Sequence, residues 1–481
     1  MTESPVYSTR ARVDRRWSPT EGLTGSSRRD RTLHLREAER SQNTGVCDTS
    51  VHAVRGLFQS ALLLVALLCG AGLIVKAAPG RSDGQTTGPS SPERSSREVR
   101  ALWVARTSLV SPTDVAKVVD DARRYGFNTL LVQVRGRGDA YFNGGIEPRA
   151  ELLAGQAASF DPLQELIATA HPAEIEVHAW ISVNLVSSAT TLPTSRDHVV
   201  HAHPEWLMVP RDLARRLGKL DPSRPEYVQR LAAWTRAHNQ QTEGLFVSPI
   251  AKDAAAHTHD VVTDLVRRYP VDGVHLDYVR YPNAEFDYSR AALEAFRAEI
   301  RPTLAPEASR RLDAARESDV TAYADAFQDA WDAFRRTRLT HLVERLASAV
   351  RAVRPTVFIS AAVIPDPTEA TNARLQEWPT WLERGLIDVI CPMMYTSSAQ
   401  RFAGQADLIQ DAAGSSVWVG IGAWQLSPAE TVQRIEAARA RNFAGVALFS
   451  YDSLAARRRP FLTTVDRRAF QATANGAPGS R

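Results

Sequence analysis

The segment VDGVHLDYVRYP, residues 271–282, is the part of the chain from which the fold can be worked out. Residues 274–276 form a short strand-like run, Asp277 follows at once, and Arg280 comes three positions later. A carboxylate and a cation placed directly behind a buried strand indicate that the strand runs out of the core into a site. We interpret this segment as one strand of a parallel barrel whose carboxyl end carries chemistry.

Seven similar runs lie elsewhere between residues 97 and 460, separated by amphipathic helical stretches. The eight runs are RALWVAR (100–106), TLLVQVR (129–135), EVHAWIS (176–182), DGVHLDY (272–278), VFISAAV (357–363), DVICPMMY (388–395), VWVGIGA (417–423) and GVALFSY (445–451). Near-continuous apolar strands are typical of a parallel sheet covered on both faces. Eight β-then-α units predict an α/β fold, a closed (β/α)₈ barrel of the TIM type. Long insertions after the third and fourth strands, residues 185–270 and 283–356, are predicted to wall its carboxyl end.

The composition is that of a globular protein and excludes some functions. The chain has 481 residues, of which 23% are charged, and its formal net charge is +4. This small excess does not indicate nucleic-acid binding, which needs a concentrated basic face. Of Cys47, Cys69 and Cys391, only Cys391 falls in the predicted barrel. A disulfide within the barrel and a cysteine-based zinc site are therefore excluded, and Cys391 is expected to be a small buried apolar residue.

The chain before the barrel divides into three predicted segments. Residues 1–55 are polar and Arg-rich and predict a disordered tail, which a later start of translation would leave out. Residues 56–78 combine a charged flank, an apolar core and small residues, which predict either a cleaved signal peptide or a single-helix membrane anchor. Both alternatives place the barrel outside the cytoplasm, secreted or anchored. Residues 79–96 are a predicted flexible linker, residues 97–460 the barrel, and residues 461–481 a C-terminal helix with a frayed tail.

Polar and aromatic residues gather at the predicted carboxyl ends of the strands, where barrel enzymes build their sites. Sugars present apolar ring faces, on which Trp and Tyr stack, and hydroxyl groups, which amides, Arg and carboxylates bind. The mixture therefore predicts a site for a polysaccharide. The predicted substrate-binding residues are Arg135, Trp180, Asn184, His275, Tyr278, Arg280, Tyr395, Trp424 and Asp452.

Glycoside hydrolysis needs two carboxyl groups that flank the scissile bond. Asp277 is predicted to be one of them, because its strand delivers it to the mouth of the barrel. Arg280 would keep Asp277 ionised, whereas apolar burial would keep it neutral, and the sequence leaves both outcomes open. For the second carboxylate the sequence favours Asp366, just past the fifth strand, over Asp139. Further options are Glu369 and Asp452.

Several of these residues also have a structural interpretation. An Asp that follows a strand often caps the next turn or helix, and this is the alternative for Asp139, Asp366 and Asp452. His275 is the kind of residue that can be hydrogen-bonded within a core. Three closely spaced histidines suggest a metal site but lack the carboxylate spacing of known sites, so neither a metal nor a cofactor is expected. These histidines are His198, His201 and His203.

Eight segments together resemble the glycosyl hydrolase-like 10 family of bacterial envelope proteins. They are REVRALWVAR, LLVQVRGRGDAYF, HAWISVN, HPEW, LDPSRPEYVQRL, VDGVHLDYVRYP, IDVICPMMY and GVALFSYD. The resemblance extends over nearly all of residues 97–455. It implies a TIM-type barrel that hydrolyses a bacterial glycan, with peptidoglycan-related material as the first expectation. It also implies that Asp277 is catalytic and that Arg135, Asp139 and Arg280 are site positions.

The sequence therefore predicts an exported glycoside hydrolase that cleaves an envelope polysaccharide with two carboxylates. One alternative is a non-catalytic glycan-binding barrel, in which the cleft persists but no carboxyl pair meets across it. A metal-dependent hydrolase is a third interpretation, and it would require histidine and carboxylate side chains to converge within coordination distance.

Overall fold

The computed structural model describes residues 97–454 and 457–471. The predicted tail, the signal or anchor segment and the linker lie outside these described residues. The strands of the described part are β1 Val99–Val104, β2 Thr129–Arg135, β3 Glu176–Ser182, β4 Leu185–Ser187, β5 Leu245–Phe246, β6 Gly273–Asp277, β7 Phe358–Val363, β8 Val389–Met394, β9 Trp418–Gly422 and β10 Gly445–Phe449.

Eight of these strands close into one parallel barrel. Their order around the barrel is β1, β10, β9, β8, β7, β6, β3, β2. Each of the eight coincides with one predicted run, so the prediction of a (β/α)₈ barrel is confirmed. The two others, β4 and β5, pair with each other in antiparallel fashion apart from the barrel. The strand β5 is formed by the first two residues of the apolar segment LFVSPI, residues 245–250, in the first insertion.

The helices alternate with the barrel strands and fill the insertions. Those of the described residues are α1 Pro112–Arg124, α2 Pro162–Ala170, α3 Val199–Ala202, α4 Arg211–Leu217, α5 Pro225–Ala237, α6 Lys252–Arg268, α7 Arg290–Ile300, α8 Pro306–Arg316, α9 Ala322–Ala326, α10 Gln328–Val353, α11 Pro367–Ala373, α12 Trp378–Glu383, α13 Ala399–Ala413, α14 Pro428–Arg439, α15 Tyr451–Leu454 and α16 Arg458–Val465. Over residues 97–454 and 457–471, no helix has both the length and the apolarity needed to cross a bilayer.

Helix α1 illustrates how the sequence builds the outer layer. The side chain of Ser111 accepts a hydrogen bond from the backbone of Asp114, and Pro112 occupies the first turn, so the helix begins with its free N–H groups partly satisfied. Val115 and Val119, four residues apart, are both buried and face the barrel. The strands beneath are buried along almost their whole length, and Cys391 on β8 is fully buried among them.

The two insertions pack on each other beside the barrel. Leu231 of α5, from the first insertion, shares one hydrophobic core with Phe296 of α7 and Trp331 of α10, from the second. The strand β4 begins only three residues after β3 ends, so the β4–β5 pair lies at the carboxyl end of β3. The insertions therefore add a second layer of structure at the end of the barrel where the predicted site residues lie.

Candidate active site

Asp277 is the last residue of β6 and lies opposite Ser182, the last residue of β3. It is only 4% exposed. Its Oδ2 accepts a hydrogen bond from the indole Nε1 of Trp180 at 2.9 Å, and its Oδ1 accepts one from the backbone N–H of Tyr278 at 2.6 Å. Burial raises the pKa of Asp277 from its ordinary value of 3.8 to about 6, outweighing these hydrogen bonds and the charge of Arg280. The sequence left open whether Arg280 would keep Asp277 ionised or burial would keep it neutral. Burial has the larger effect on the pKa.

The chain turns sharply directly after Asp277. Tyr278 has a φ of +50°, in the left-handed region that a bulky side chain rarely adopts. Such strained backbone persists where the surroundings hold it, and it occurs often at functional sites. The surroundings here are the ring of Phe246 on β5, 6.0 Å away between centroids, and the guanidinium of Arg280, 5.0 Å from the ring of Tyr278.

Arg280 forms an ion pair with a glutamate that the sequence analysis did not select. The Nη2 of Arg280, itself 2% exposed, donates to Oε1 of Glu243 at 2.6 Å. Burial alone would raise the pKa of Glu243, but the charge and hydrogen bond of Arg280 hold that pKa below its ordinary value. Glu243 comes from the first insertion, two residues before β5. The available signal was an acidic residue and a glycine immediately before the apolar run LFVSPI.

Aromatic side chains from four other strand ends form one connected wall beside Asp277. Phe449, at the end of β10, contacts Trp180 at 6.3 Å, Tyr395 at 5.3 Å and Trp424 at 5.7 Å between ring centroids. Tyr395 and Trp424 also contact each other edge to face at 5.0 Å, and both are half-buried. The wall therefore leads from partly exposed rings inward to the indole that binds Asp277. Phe449 was not among the predicted residues.

Arg135, one of the predicted substrate contacts, has its hydrogen-bond partners within the protein. Arg135 forms a two-pronged ion pair with Glu147, with both N···O distances 2.6 Å, and its third nitrogen donates to the carbonyls of Ser182 and Val183. Arg135 is 1% exposed. Its hydrogen bonds support the end of β3, which is a structural role, and the predicted contact with sugar stays a prediction.

His275 belongs to the barrel interior. Its Nε2 accepts a hydrogen bond from Trp103 at 3.0 Å, and its Nδ1 bonds to the hydroxyl of Ser360 at 2.9 Å. Burial lowers its pKa to about 3, so the ring is neutral and donates from Nδ1. With both nitrogens occupied, His275 has the core role that was its structural interpretation, and the expected contact with substrate finds no support in these bonds.

Asn184 also has a structural role. Its backbone N–H donates to the carbonyl of Tyr278 at 3.3 Å, and its Nδ2 donates to the carbonyl of Val247 at 3.0 Å. It thus connects the residue after Asp277 with the segment after β5. The predicted contact of Asn184 with substrate stays a prediction for its Oδ1, which has no hydrogen-bond partner among the described residues.

The three aspartates considered beside Asp277 each have hydrogen-bond partners within the protein. Asp366, the favoured second carboxylate, caps α11 by accepting from the backbone of Thr368 at 2.8 Å and Glu369 at 3.0 Å. Asp139 accepts from the backbone of Arg137 at 2.8 Å within the turn after β2. Asp452 accepts from the backbone of Ala105 at 2.6 Å and from two hydroxyls after β1. The cap and the turn are the structural roles that the sequence also allowed for Asp366 and Asp139, whereas Asp452 lies within α15 and bonds to the segment after β1.

The histidines of the first insertion do not converge. The Nε2 of His198 bonds to the carbonyl of Arg137 at 2.7 Å, and the Nε2 of His201 bonds to that of Pro193 at 2.7 Å. His203 stacks on Trp206 with 3.8 Å between centroids. Within residues 97–454 and 457–471, no group of three or more His, Cys, Asp or Glu side chains is arranged to hold a metal ion.

A closed parallel barrel with a buried acid and aromatic rings at its carboxyl end has the architecture of the barrel glycosidases, and comparison with solved structures supports this fold. The glycoside hydrolase domain of PgaB (BpsB) from Bordetella bronchiseptica superposes with a TM-score of 0.54 at 13% identity, covering 77% of this chain and 99% of that one. The catalytic domain of a β-amylase from Paenibacillus polymyxa gives 0.51 at 10% identity, covering 77% of this chain and 97% of that one. At such identities the likeness shows the fold alone.

The family follows from the sequence. The model of the family described as glycosyl hydrolase-like 10 matches residues 98–419, and the chain belongs to that family. It is 23% identical over 341 residues to the glycosyl hydrolase YngK of Bacillus subtilis, covering 63% of this chain and 55% of YngK. It is 25% identical over 362 residues to the glycosyl hydrolase DigH of Escherichia coli K12, covering 65% of this chain and 70% of DigH. The chain thus spans little more than half the length of YngK.

Proposed function

We propose that this protein is a glycoside hydrolase that cleaves a polysaccharide of the bacterial envelope, with a peptidoglycan-related glycan as the first substrate to test. Membership of the glycosyl hydrolase-like 10 family supports the reaction class. The observation that carries the proposal is Asp277, an acid with a pKa near 6 at the end of a barrel strand, beside a connected aromatic wall. The names of YngK and DigH, both glycosyl hydrolases, support the same class of activity.

Asp277 has the properties of a general acid. A glycosidic oxygen is a poor leaving group until it is protonated, and a carboxylic acid that stays protonated to about pH 6 can supply that proton under mild conditions. The indole of Trp180 holds one carboxyl oxygen in place through its hydrogen bond. The half-buried rings of Tyr395 and Trp424 are suited to stack on sugar rings at the outer part of the wall.

We also propose that the predicted segment 56–78 directs this activity outside the cytoplasm, either secreted or anchored at the membrane. This remains part of the proposal, because the segment lies outside the described residues. An enzyme with an envelope polysaccharide as substrate would have to be exported to reach it, so the proposed substrate and the predicted leader are consistent with each other.

The test is turnover of cell-wall glycans by the purified protein, with the products separated and identified by mass. We expect wild-type protein to release new reducing ends and Asp277→Asn to release none while retaining its circular dichroism spectrum. The rate should also fall above pH 6, where Asp277 loses its proton. An active Asn variant would refute the role of Asp277. Glycan binding without any cleavage by wild type would favour the alternative of a non-catalytic glycan-binding barrel.

A further inference from the structure

We propose that Glu243, carried by the first insertion and not by a barrel strand, is the second catalytic carboxylate. The proposal rests on the glycosidase activity proposed above and supplies the partner that Asp277 needs for it. Three observations lead to Glu243: its backbone connection to Asp277, its ion pair with Arg280, which also keeps it ionised, and its unpartnered oxygen.

A continuous path of hydrogen bonds joins the backbone of Asp277 to the segment that carries Glu243. The N–H of Val183 donates to the carbonyl of Asp277 at 2.7 Å, and the N–H of Asn184 donates to that of Tyr278 at 3.3 Å. Asn184 then accepts at its own carbonyl from the N–H of Val247 at 2.7 Å. Val247 directly follows β5, so the insertion strand is registered against the strand ends that hold the acid.

The residue after Glu243 secures the close approach of this strand. A Cβ added to Gly244 would lie 2.1 Å from the carbonyl oxygen of Ser187 on β4, so any side chain there would push the two strands apart. Glycine lets the start of β5 lie directly against β4. Glu243 is therefore held at a defined position relative to the barrel, although it comes from a long insertion.

Arg280 connects the two carboxyl groups. It lies three residues after Asp277, its guanidinium stacks over Tyr278 at 5.0 Å, and its Nη2 binds Oε1 of Glu243 at 2.6 Å. The negative charge of Glu243 contributes to the raised pKa of both Asp277 and Tyr278. Both carboxyl groups therefore lie within electrostatic range of the ring of Tyr278, and of each other.

One oxygen of Glu243 lacks a hydrogen-bond partner. Its side chain is 16% exposed, and its buried Oε2 has no hydrogen-bond partner within the described part of the chain. Buried carboxylate oxygens in folded proteins are almost always hydrogen-bonded. An unpartnered one at this position is suited to a group that arrives with the substrate, either a water molecule or the anomeric carbon.

The environments of the two carboxyl groups assign them different roles. Burial keeps Asp277 protonated to about pH 6, whereas Arg280 keeps Glu243 ionised below its ordinary range. Glycosidases use such a divided pair, one carboxyl group as acid and the other as base or nucleophile.

The reaction balances with these two groups and one water molecule. The bond between the anomeric carbon and the glycosidic oxygen breaks, its electron pair stays on that oxygen, and the oxygen takes the proton of Asp277. Glu243 either removes a proton from the water that attacks the anomeric carbon, or attacks that carbon itself and is then displaced by water. In both routes water supplies a hydroxyl group to one product. In the first route its other proton is taken up by Glu243 and must pass through solvent to Asp277, whereas in the second route Asp277 removes that proton directly from the water that displaces Glu243.

The experiment compares Glu243→Gln and Glu243→Asp with wild type on the glycan that wild type cleaves. A matched control is Glu98→Gln, which removes another Arg-paired glutamate, bonded to Arg439 at 2.7 Å just before β1 and thus at the opposite end of the barrel. We expect kcat to fall by about 10²–10⁴-fold in Glu243→Gln and the control to keep wild-type turnover. Glu243→Asp retains the charge beside Arg280 and so protects folding, and its kcat should also fall because the carboxylate is withdrawn by one methylene group.

The pH profile separates a catalytic role from a structural one. The acid limb of kcat/KM in wild type should reflect Glu243 and should disappear from the residual activity of Glu243→Gln, while the alkaline limb set by Asp277 should move to lower pH because a neighbouring negative charge is gone. Full activity in either Glu243 variant, or an unchanged acid limb in Glu243→Gln, would overturn the assignment of Glu243 while leaving the proposed function intact if Asp277→Asn is inactive. Wild-type protein that cleaves no glycan would overturn the proposed function itself.

Discussion

The described part of the chain contains two buried Arg–Glu pairs near the carboxyl ends of β2, β3 and β6, and they differ in how completely they are satisfied. In the pair of Arg135 and Glu147, both carboxylate oxygens accept from the guanidinium, and the remaining arginine nitrogen binds backbone carbonyls. In the pair of Arg280 and Glu243, one carboxylate oxygen has no partner, and a neutral acid, Asp277, lies beside it.

This difference distinguishes a structural ion pair from one suited to chemistry. A buried pair whose hydrogen bonds are all made can fix backbone in place, but it has nothing left to offer a ligand. In the second pair, the unpartnered oxygen of Glu243 can act as an acceptor, and the neighbouring Asp277, while protonated, can act as a donor. The presence of a buried ion pair is therefore less informative than the hydrogen bonds that the pair leaves unmade.

The largest effect that tests this contrast is on stability. Glu147→Ala should lower the free energy of unfolding by about 3–5 kcal/mol, because Arg135 would remain buried without a counter-ion. Glu243→Ala should cost less, about 1–2 kcal/mol, since Asp277 can ionise beside Arg280 and replace the lost charge. Urea unfolding at pH 5, where Asp277 is still protonated in the wild type, measures both variants. Equal losses of unfolding free energy in Glu147→Ala and Glu243→Ala would show that both arginines depend equally on their glutamate partners.

The next prediction concerns the pH dependence of stability. The folded protein holds the proton of Asp277 more tightly than the unfolded chain does, with a pKa of about 6 against 3.8. Stability is therefore lost as pH rises from about 4 through about 6, and the ionised form costs the folded state about 3 kcal/mol. Asp277→Asn should recover much of this lost free energy of unfolding above pH 7 and little of it near pH 4. A difference from wild type that did not change with pH would show that Asp277 has an ordinary pKa.

A smaller effect is expected at the outer end of the aromatic wall. Trp424→Ala should raise KM by about 5–30-fold, because stacking of an aromatic ring contributes about 1–2 kcal/mol, and it should change kcat little. The half-buried position of Trp424 implies only a modest loss of melting temperature. Steady-state kinetics on the cleaved glycan provide the measurement, and an unchanged KM would remove Trp424 from the substrate contacts.

The smallest effect is predicted for Asp366. As the cap of α11 it should contribute about 1 kcal/mol to stability, and Asp366→Ala should lose that amount while keeping its turnover. Thermal unfolding and activity on the same preparation decide the matter. A loss of kcat comparable to that of Asp277→Asn would restore Asp366 as the second carboxylate.

The barrel could be predicted from the sequence because its signal is local and repeated. Runs such as TLLVQVR and EVHAWIS are apolar throughout, as strands covered on both faces must be, and these two coincide with β2 and β3 without a residue of difference. The position of Asp277 at the end of its strand followed from the same pattern.

The site could be predicted only in part, because its contacts join residues far apart in sequence. Glu243 is 34 positions from Asp277 and reaches it through a strand pair that no local pattern specifies. The sequence could not reveal that Arg280 pairs with Glu243 and that burial decides the pKa of Asp277. Asp366 was favoured because it follows the strand beside β6, yet the same position also begins a helix, and capping satisfied its carboxylate locally.

The near-complete enclosure of Asp277 has a consequence for repeated turnover. Asp277, which solvent scarcely reaches, gives up its proton once in each catalytic cycle and has to be protonated again before the next cycle. Under the proposed chemistry, that proton comes from the attacking water, either directly, when Asp277 acts as a base toward it, or by way of Glu243 and solvent. Each cycle therefore requires water to reach Asp277 before the next glycosidic bond can be protonated.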